Sequence, residues 1–512
     1  MLLQRRFTGF IREEGLALVR YISSASPSSG TKTGDYASAT SYKSIPKEPF
    51  YKSMIRAAQD NSYMLKMHIN MNELHKVHGP IFRMGLPGVG EAIMFNDPED
   101  LKTLIYTDDK DPIEHGFNFV VEYRQNIRKD LYPETGGLLG SHGEKWYQAR
   151  SKVQQDMLRP KSAFFYIDEI TGVSNDLMNL VASNMNQDRT IDDVTPLMYR
   201  WSLEAVSAIF LDTRIGCLKA DPPKEAKEMI AHTEIALGFA LNQLTFGLPL
   251  WKLYRTKHLD DFDTATEGIH KITSKFIGEA KDKFKANNIT ETDKMSVLQK
   301  LIHKCGTESK IPEVMAMDAM MAGIDTTGNT AAFLIYHLAS NPVQQEILYK
   351  EIKDKLGDNK LTPAILNEMK YLKAVQHESQ RLLPAVGGLG RTTQKDMVLS
   401  GYQIPKGSMV SYMWTMPMRS EKHFKNSDEF MPERWLRGCP QQNNAHPFAF
   451  TPFGHGSRMC IGRRFAELEI QILAIETLRR YKLVYEGSPM DLCTPFVNRP
   501  DGPIAVKFIE RQ

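Results

Sequence analysis

The chain has 512 residues, with 64 Lys and Arg against 61 Asp and Glu and 42% hydrophobic residues, the balance of an ordinary globular protein able to bury a large core. A net charge of only +3 provides no overall field to draw a polyanion, so no nucleic-acid partner is expected. Five widely spaced cysteines (Cys217, Cys305, Cys439, Cys460, Cys493) argue against a disulfide framework and fit a reducing compartment, and no apolar run reaches the roughly 18 residues of a membrane span.

The first segment reads as a mitochondrial transit peptide, predicted to span residues 1–44 and to be cleaved. Arg5, Arg6, Arg12 and Arg20 alternate with Leu, Phe and Ile, and a Ser/Thr-rich stretch runs from Ser23 to Ser44. Glu13 and Glu14 go against the acid-poor rule for such leaders. Removing this segment leaves 58 basic and 58 acidic residues, so attraction to partners must come from local patches. Length alone suggests about three domains, yet no linker breaks residues 45–512, which are expected to form one domain.

Ile45-Pro46-Lys47-Glu48-Pro49 is a short rigid entry to that domain. Pro80–Met84 and Glu91–Phe95, separated by a Gly-rich turn, predict a hairpin, and Asn96-Asp97-Pro98-Glu99 starts a helix. Residues 113–135 mix aromatic, charged, Gly and Pro residues with no clear period. Trp146 and Arg150 lie four apart on a predicted helix, a pair that by itself is common on helix surfaces. Ala163 to Lys310 is mostly helical by pattern; within it, Ala231 to Tyr254 is apolar and interrupted by Gly238, Gly247 and Pro249.

Ile311 to Asn341 is the longest apolar stretch, with Pro312 and Glu313 at its start and Asn341-Pro342 at its end, and predicts a buried central helix. Ala322-Gly323-Ile324-Asp325-Thr326-Thr327 inside it is a poor choice for a helix core. Gly323 would let a flat ligand approach and leave a carbonyl free for water, and the buried polar groups need partners. Glu378 and Arg381, three apart, read on their own as a surface ion pair on a helix that ends at Pro384. Gly390-Arg391-Thr392-Thr393 follows a turn and begins strands, and Phe430-Met431-Pro432-Glu433-Arg434-Trp435 comes later.

The most specific stretch is Phe453-Gly454-His455-Gly456-Ser457-Arg458-Met459-Cys460-Ile461-Gly462, followed by a helical pattern carrying Phe465, Leu468, Ile472 and Ile475. A sulfur at a helix N-terminus meets unpaired N–H donors and the positive end of the macrodipole, which favours the thiolate. Gly454, Gly456 and Gly462 let the backbone bend and lie against something flat. This loop resembles the cysteine-ligand loop of the cytochrome P450 family, and the other motifs fall in the family's order over some 320 residues.

The resemblance implies a predominantly helical fold with a minor β region, holding haem b between the central helix and the loop, with Cys460 thiolate as axial iron ligand and Phe453 beside the cofactor. It implies that Trp146, Arg150, Arg391 and Arg458 reach the haem propionates, as suits the fixed charge and fork of arginine. Asp325 and Thr326 match the acid and alcohol that relay protons. Glu378, Arg381 and Arg434 match a buried network that fixes the cysteine loop. Residues 113–135 correspond to a region that covers the haem and touches substrate, Ala231–Tyr254 to a mobile lid that touches the membrane surface, and Ala385–Leu389 and Thr494–Asn498 to pocket walls.

The implied chemistry is monooxygenation of a lipophilic molecule, sterol-like, ecdysteroid-like or xenobiotic. Endoplasmic-reticulum members carry an N-terminal anchor; its absence, Arg463-Arg464 after the cysteine, and Leu211-Asp212-Thr213-Arg214 resemble mitochondrial, particularly invertebrate, members. Such proteins sit peripherally on the matrix side of the inner membrane. They take electrons from a [2Fe–2S], adrenodoxin-like ferredoxin reduced by an NADPH-dependent flavoprotein. Docking would use Lys373, with Lys370 substituting for the lysine replaced by His377, together with Arg463 and Arg464. His377 would regain a charge below about pH 6.5. Rival readings are a haem protein that binds a ligand without turnover, or a non-redox isomerase; the intact Asp325-Thr326 pair argues against both. A zinc site from Cys439, His446, His455 and Cys460 matches no ligand spacing.

Overall fold

The computed structural model describes residues 33–511 apart from 61, 64, 87–89, 115–117, 246–253, 288–290, 441, 443, 495 and 496. The expected leader through Lys32, part of the Ala231–Tyr254 lid and two residues of the Thr494–Asn498 wall therefore lie outside the described residues. The architecture is mainly helical with a minor β region, as expected. No described helix is long and apolar enough to cross a membrane.

At the centre runs the helix Ile311–Ser340, with Pro312 in its first turn. It packs against the helices Thr195–Phe210, Lys257–Asn287, Lys370–Leu382 and Arg463–Arg480. Apolar residues surround it because neighbours cover nearly every face. The exception is a short stripe in which Ala322 is exposed and Ala319, Gly323, Asp325 and Thr326 are half-buried. Two glycines set how closely Thr195–Phe210 approaches. A Cβ on Gly323 would come 2.9 Å from Val206 Cγ2, and one on Gly328 would come 2.5 Å from Tyr199 Cδ1. The expectation that Gly323 makes room for a flat ligand is thus corrected: it makes room for a neighbouring helix. The Gly323 carbonyl also meets a side-chain donor: Ser202 Oγ lies 3.0 Å from both the Gly323 and Ile324 oxygens, and its single proton serves one of them at a time.

The main sheet has six strands in the order Lys47–Glu48, Ile81–Leu86, Gly90–Phe95, Met409–Met413, Gly388–Thr392, Ile113–Glu114. The predicted hairpin pairs Ile81 with Phe95, and Asp97 caps the following helix by accepting the Glu99 N–H at 2.8 Å. At the far edge the register sets Glu114 opposite Arg391.

Ordered contacts begin before residue 45. Thr40 bridges to the hairpin of Met397–Leu399 and Tyr402–Ile404, its N–H donating to Gly401 O at 3.0 Å and its carbonyl accepting from Gln403 N at 2.8 Å. Gln403 Nε2 donates to Tyr36 O at 2.9 Å. The aperiodic region 113–135 contains a short helix, Asn118–Glu122, that widens into a π-helical turn at Tyr123–Ile127. A partner distant in sequence anchors it: buried Arg124 donates to Asp318 of the central helix at 2.5 Å, and Asp318 also accepts the Leu138 N–H at 2.5 Å.

Candidate functional site

Cys460 lies in a tight loop just before the helix Arg463–Arg480. Its N–H donates to Phe453 O at 2.8 Å, closing the loop, and Met459 N donates to Gly456 O at 3.1 Å. Gly454 (φ +68°) and Gly456 (φ +77°) occupy the left-handed region, and a Cβ at Gly456 would stand 2.9 Å from Ile105 Cγ2. Gly462 has an ordinary φ of −80°, so its role differs from the expected bend: a Cβ there would stand 3.9 Å from the Cys460 sulfur. The helix that follows is buried nearly all round from Leu468 to Leu478, more fully than the apolar stripe alone implies.

Solvent reaches Cys460, yet the protein around its sulfur is deep enough that desolvation pushes the thiol up. The Gly462 N–H, Arg150 and Arg463 pull it down without overcoming burial, and Glu467 adds to the rise. Burial and the helix N-terminus thus act in opposite directions on this thiol, and a cation at the sulfur would favour the thiolate.

Three arginines converge beside this loop. Arg150 Nη2 donates to the Met459 carbonyl at 2.9 Å. Arg391 Nη1 donates to Glu114 Oε1 at 3.0 Å, and Arg458 Nη1 stands 3.5 Å from Glu114 Oε2. Arg458 also donates to Pro112 O at 3.1 Å, and its guanidinium stacks 3.8 Å from the centre of the Trp146 ring. Asp108 Oδ2 is 3.6 Å from Arg391 Nε, with its carboxyl raised to about 6, mainly by burial. Burial pushes both Arg150 and Arg458 down to about 10, and the buried Nε atoms of Arg150 and Arg391 lack hydrogen-bond partners.

Sequence reasoning missed Glu114 and Asp108. Glu114 sits on a two-residue strand with no periodic signal, and only the Arg391 register reveals it. Three arginines against two carboxylates, with two guanidinium N–H groups unsatisfied, is a donor set that fits an anionic group carrying carboxylates. The residues present thus fit haem, with Cys460 to hold iron and the arginines and Trp146 to hold propionates. Phe453 is half-buried, its ring 5.5 Å from the Arg463 guanidinium.

On the central helix, Thr326 Oγ1 donates to Ala322 O at 2.7 Å, on a stripe that the described neighbouring helices leave uncovered. Burial, with Glu234 adding and Arg499 subtracting, raises the Asp325 carboxyl to about 6. That value lets it take up and release protons near neutral pH.

Glu378 and Arg381 are far from the surface pair that isolated spacing suggests: both are wholly buried. Glu378 accepts from Arg381 Nη2 at 2.8 Å and Nε at 3.0 Å, Arg434 Nε at 3.0 Å, the Met431 N–H at 2.9 Å and Trp435 Nε1 at 2.9 Å. Trp435 is a further member of this network that the motif does not include.

The expected docking residues are less uniform. Lys370 is exposed, whereas Lys373 is half-buried, donates to Asn367 O at 3.2 Å and is pushed down by burial. Arg463 and Arg464 both pair with Glu467, at 2.7 and 3.2 Å. The surroundings of His377 work against the role expected for it: its ring packs 5.3 Å from Trp435 and 5.4 Å from Phe450, and burial lowers its pKa. Among the described residues no group of three His, Cys, Asp or Glu side chains could hold a metal ion. His446 instead pairs with Glu99 at 2.8 Å.

The profile of the family described as Cytochrome P450 matches residues 49–508. The chain is 31% identical over 456 residues to probable cytochrome P450 49a1 of Drosophila melanogaster, covering 86% of this chain and 77% of that protein. It is 32% identical over 446 residues to probable cytochrome P450 301a1, mitochondrial, of the same fly, covering 85% and 80%. Cytochrome P450 CYP12A2 of Musca domestica is 32% identical over 457 residues, with 84% of each chain covered.

Proposed function

The chain belongs to the cytochrome P450 family of haem monooxygenases, whose haem b iron is ligated by cysteine, and from that premise we propose a mitochondrial, ferredoxin-driven enzyme acting on a lipophilic molecule. The observation that carries this reading is the convergence of Arg150, Arg391 and Arg458, with fewer carboxylates than guanidiniums, beside the loop that carries Cys460. Cys460 is the proposed iron ligand, and Trp146 and the three arginines bind the propionates. When bound, the haem supplies dioxygen binding, reduction and cleavage. Asp325 holds a proton that it can exchange near pH 6, and the Thr326 hydroxyl, fixed by the Ala322 carbonyl, orients the groups that receive it. That pair favours monooxygenation over ligand sensing or redox-free isomerisation.

Several relatives bear the word mitochondrial in their names, which together with the arginine-rich leader supports a mitochondrial location. A peripheral position on the matrix side of the inner membrane and electron supply from an adrenodoxin-like [2Fe–2S] ferredoxin and its NADPH-dependent reductase complete the proposal. The substrate class proposed is sterol-like, ecdysteroid-like or xenobiotic. The leader is proposed to be removed before Tyr36 and not at residue 44, a reading supported by the contacts of Tyr36 and Thr40 with the Tyr402–Ile404 hairpin. Purified protein should show the thiolate-type carbon monoxide spectrum when reduced, and turnover of a lipophilic panel when supplied with mitochondrial ferredoxin and its reductase. Cys460→Ser should abolish that spectrum; its survival would overturn the assignment of the ligand.

A further inference from the structure

We propose that a recess at the far end of the Trp146 helix is a binding site for phosphate-bearing anions. The helix Gly143–Met157 carries Trp146 and Arg150 toward the cysteine loop, whereas Gln155 and Asp156, near its other end, line a separate recess of about 420 Å³. Ten residues separate Trp146 from Asp156, about 15 Å at 1.5 Å per residue, so the recess is distinct from the haem site. Its remaining walls come from Arg159, from Lys161, Ser162, Phe164 and Phe165 around the short helix Pro160–Phe164, from Thr292, and from Lys300, His303 and Lys304 on the helix Val297–Cys305.

The charges in this recess do not balance. Lys304 is paired with Asp156, the one carboxylate among the described lining residues, and Lys161 is engaged as well, which leaves Arg159 and Lys300 with no carboxylate of their own. The side chains of Arg159 and Lys300 make no ion pair or hydrogen bond with any described residue. His303, which is exposed, also lines the recess. Like charges held in a concave surface repel one another, an arrangement that an anion relieves. Arginine and lysine together suit a phosphate group, the first as a planar fork and the second as a point charge. Phe164 is half-buried and Phe165 is 51% exposed, giving the recess an apolar wall against which the organic part of such a ligand can lie. Outside the leader the chain carries equal numbers of basic and acidic residues, so this local excess of cations is not a consequence of overall charge.

A phosphate could arrive on a soluble molecule or on an acidic lipid headgroup, and two probes separate these sources. The haem-loaded protein is titrated calorimetrically with inorganic pyrophosphate at low ionic strength. It is also sedimented with phosphatidylcholine vesicles made with and without phosphatidylglycerol. The comparison is Arg159→Glu/Lys300→Glu, with Lys406→Glu as a control for surface charge; none of these residues belongs to the haem site. Single-site pyrophosphate binding that weakens at least about tenfold in the double variant supports the site with a soluble ligand. Preferential sedimentation with phosphatidylglycerol vesicles that the double variant loses supports it with a lipid headgroup. The proposal fails if neither probe binds, or if binding is the same in the double variant. It fails equally if neither probe binds while ferredoxin-supported turnover alone drops, since the cations would then serve a protein partner.

Discussion

The Arg458 guanidinium stacks 3.8 Å from the centre of the Trp146 ring. Arg458 stands two residues before Cys460, and Trp146 lies in the first turn of the helix that carries Arg150, so this one contact joins the cysteine loop to the helix across more than 300 residues of chain. Arg150 ties the same two elements a second time through the Met459 carbonyl. The sulfur and the arginines are thus held as one unit, and a change in either element moves both.

Arg458→Ala removes the stack and one of the two arginines on Glu114. A desolvated cation–π contact is worth about 2 kcal/mol, so haem should dissociate with an affinity roughly thirtyfold weaker. Transfer of haem to apomyoglobin measures this directly. Arg458→Lys should recover only part of the loss, because an ammonium cannot stack as a planar guanidinium does. Full recovery by lysine would show that charge alone suffices.

Thr326→Ala should leave haem content and substrate binding intact while separating NADPH use from product formation, since the hydroxyl that orients the delivered proton is gone. Asp325, with its carboxyl at about 6, should give kcat an inflection near that pH that is absent in Asp325→Asn. The sign of a further change follows from its neighbours. Arg499 lowers the Asp325 pKa, so Arg499→Met should move the inflection upward; Glu234 raises it, so Glu234→Gln should move it downward. A kcat profile unchanged in all three variants would remove Asp325 from the mechanism.

Glu378→Ala leaves Arg381 and Arg434 buried without their carboxylate. Breaking a buried ion pair from one side costs about 3–5 kcal/mol, and here the Met431 N–H and the Trp435 indole lose their acceptor as well. Denaturant unfolding should show a destabilisation of that order, with Cys460→Ser as a comparison that leaves the network intact. Trp435→Phe, which removes one donor, should cost about 1 kcal/mol.

In ferredoxin docking, Lys370→Glu should slow ferredoxin-driven turnover more than Lys373→Glu, since Lys370 is exposed and Lys373 is half-buried with its ammonium bonded to Asn367. The effect should be largest at low ionic strength, and peroxide-driven turnover should stay near wild type. Ferredoxin affinity should gain less from His377 between pH 7.5 and about 6 than an exposed imidazole would give, because burial against Trp435 and Phe450 lowers the pKa of that ring. Equal turnover by wild type and Lys370→Glu would place docking elsewhere.

The features legible in the sequence are those that repeat locally or are punctuated locally. The central helix follows from an apolar run bounded by Pro312 and Asn341-Pro342, the first hairpin from two strand-like runs around glycines, and the cysteine loop from its closely spaced Gly, Arg and Cys residues. Family order then assigned Trp146, Arg150, Arg391 and Arg458 to one site before any distance was known.

What the tertiary structure decided are relationships between residues far apart in the chain. Glu114 counters Arg391 and Arg458 only because strand register brings residue 114 beside residue 391. Ser202 occupies the carbonyl of Gly323 because two helices meet at their small residues. Asp318 anchors the π-helical turn from 194 residues away, and His377 packs against two aromatic rings supplied by later segments, where burial lowers its pKa. Burial explains all four outcomes. A side chain's protonation and partners depend on what displaces water around it, and local sequence period records which face is covered without saying what covers it.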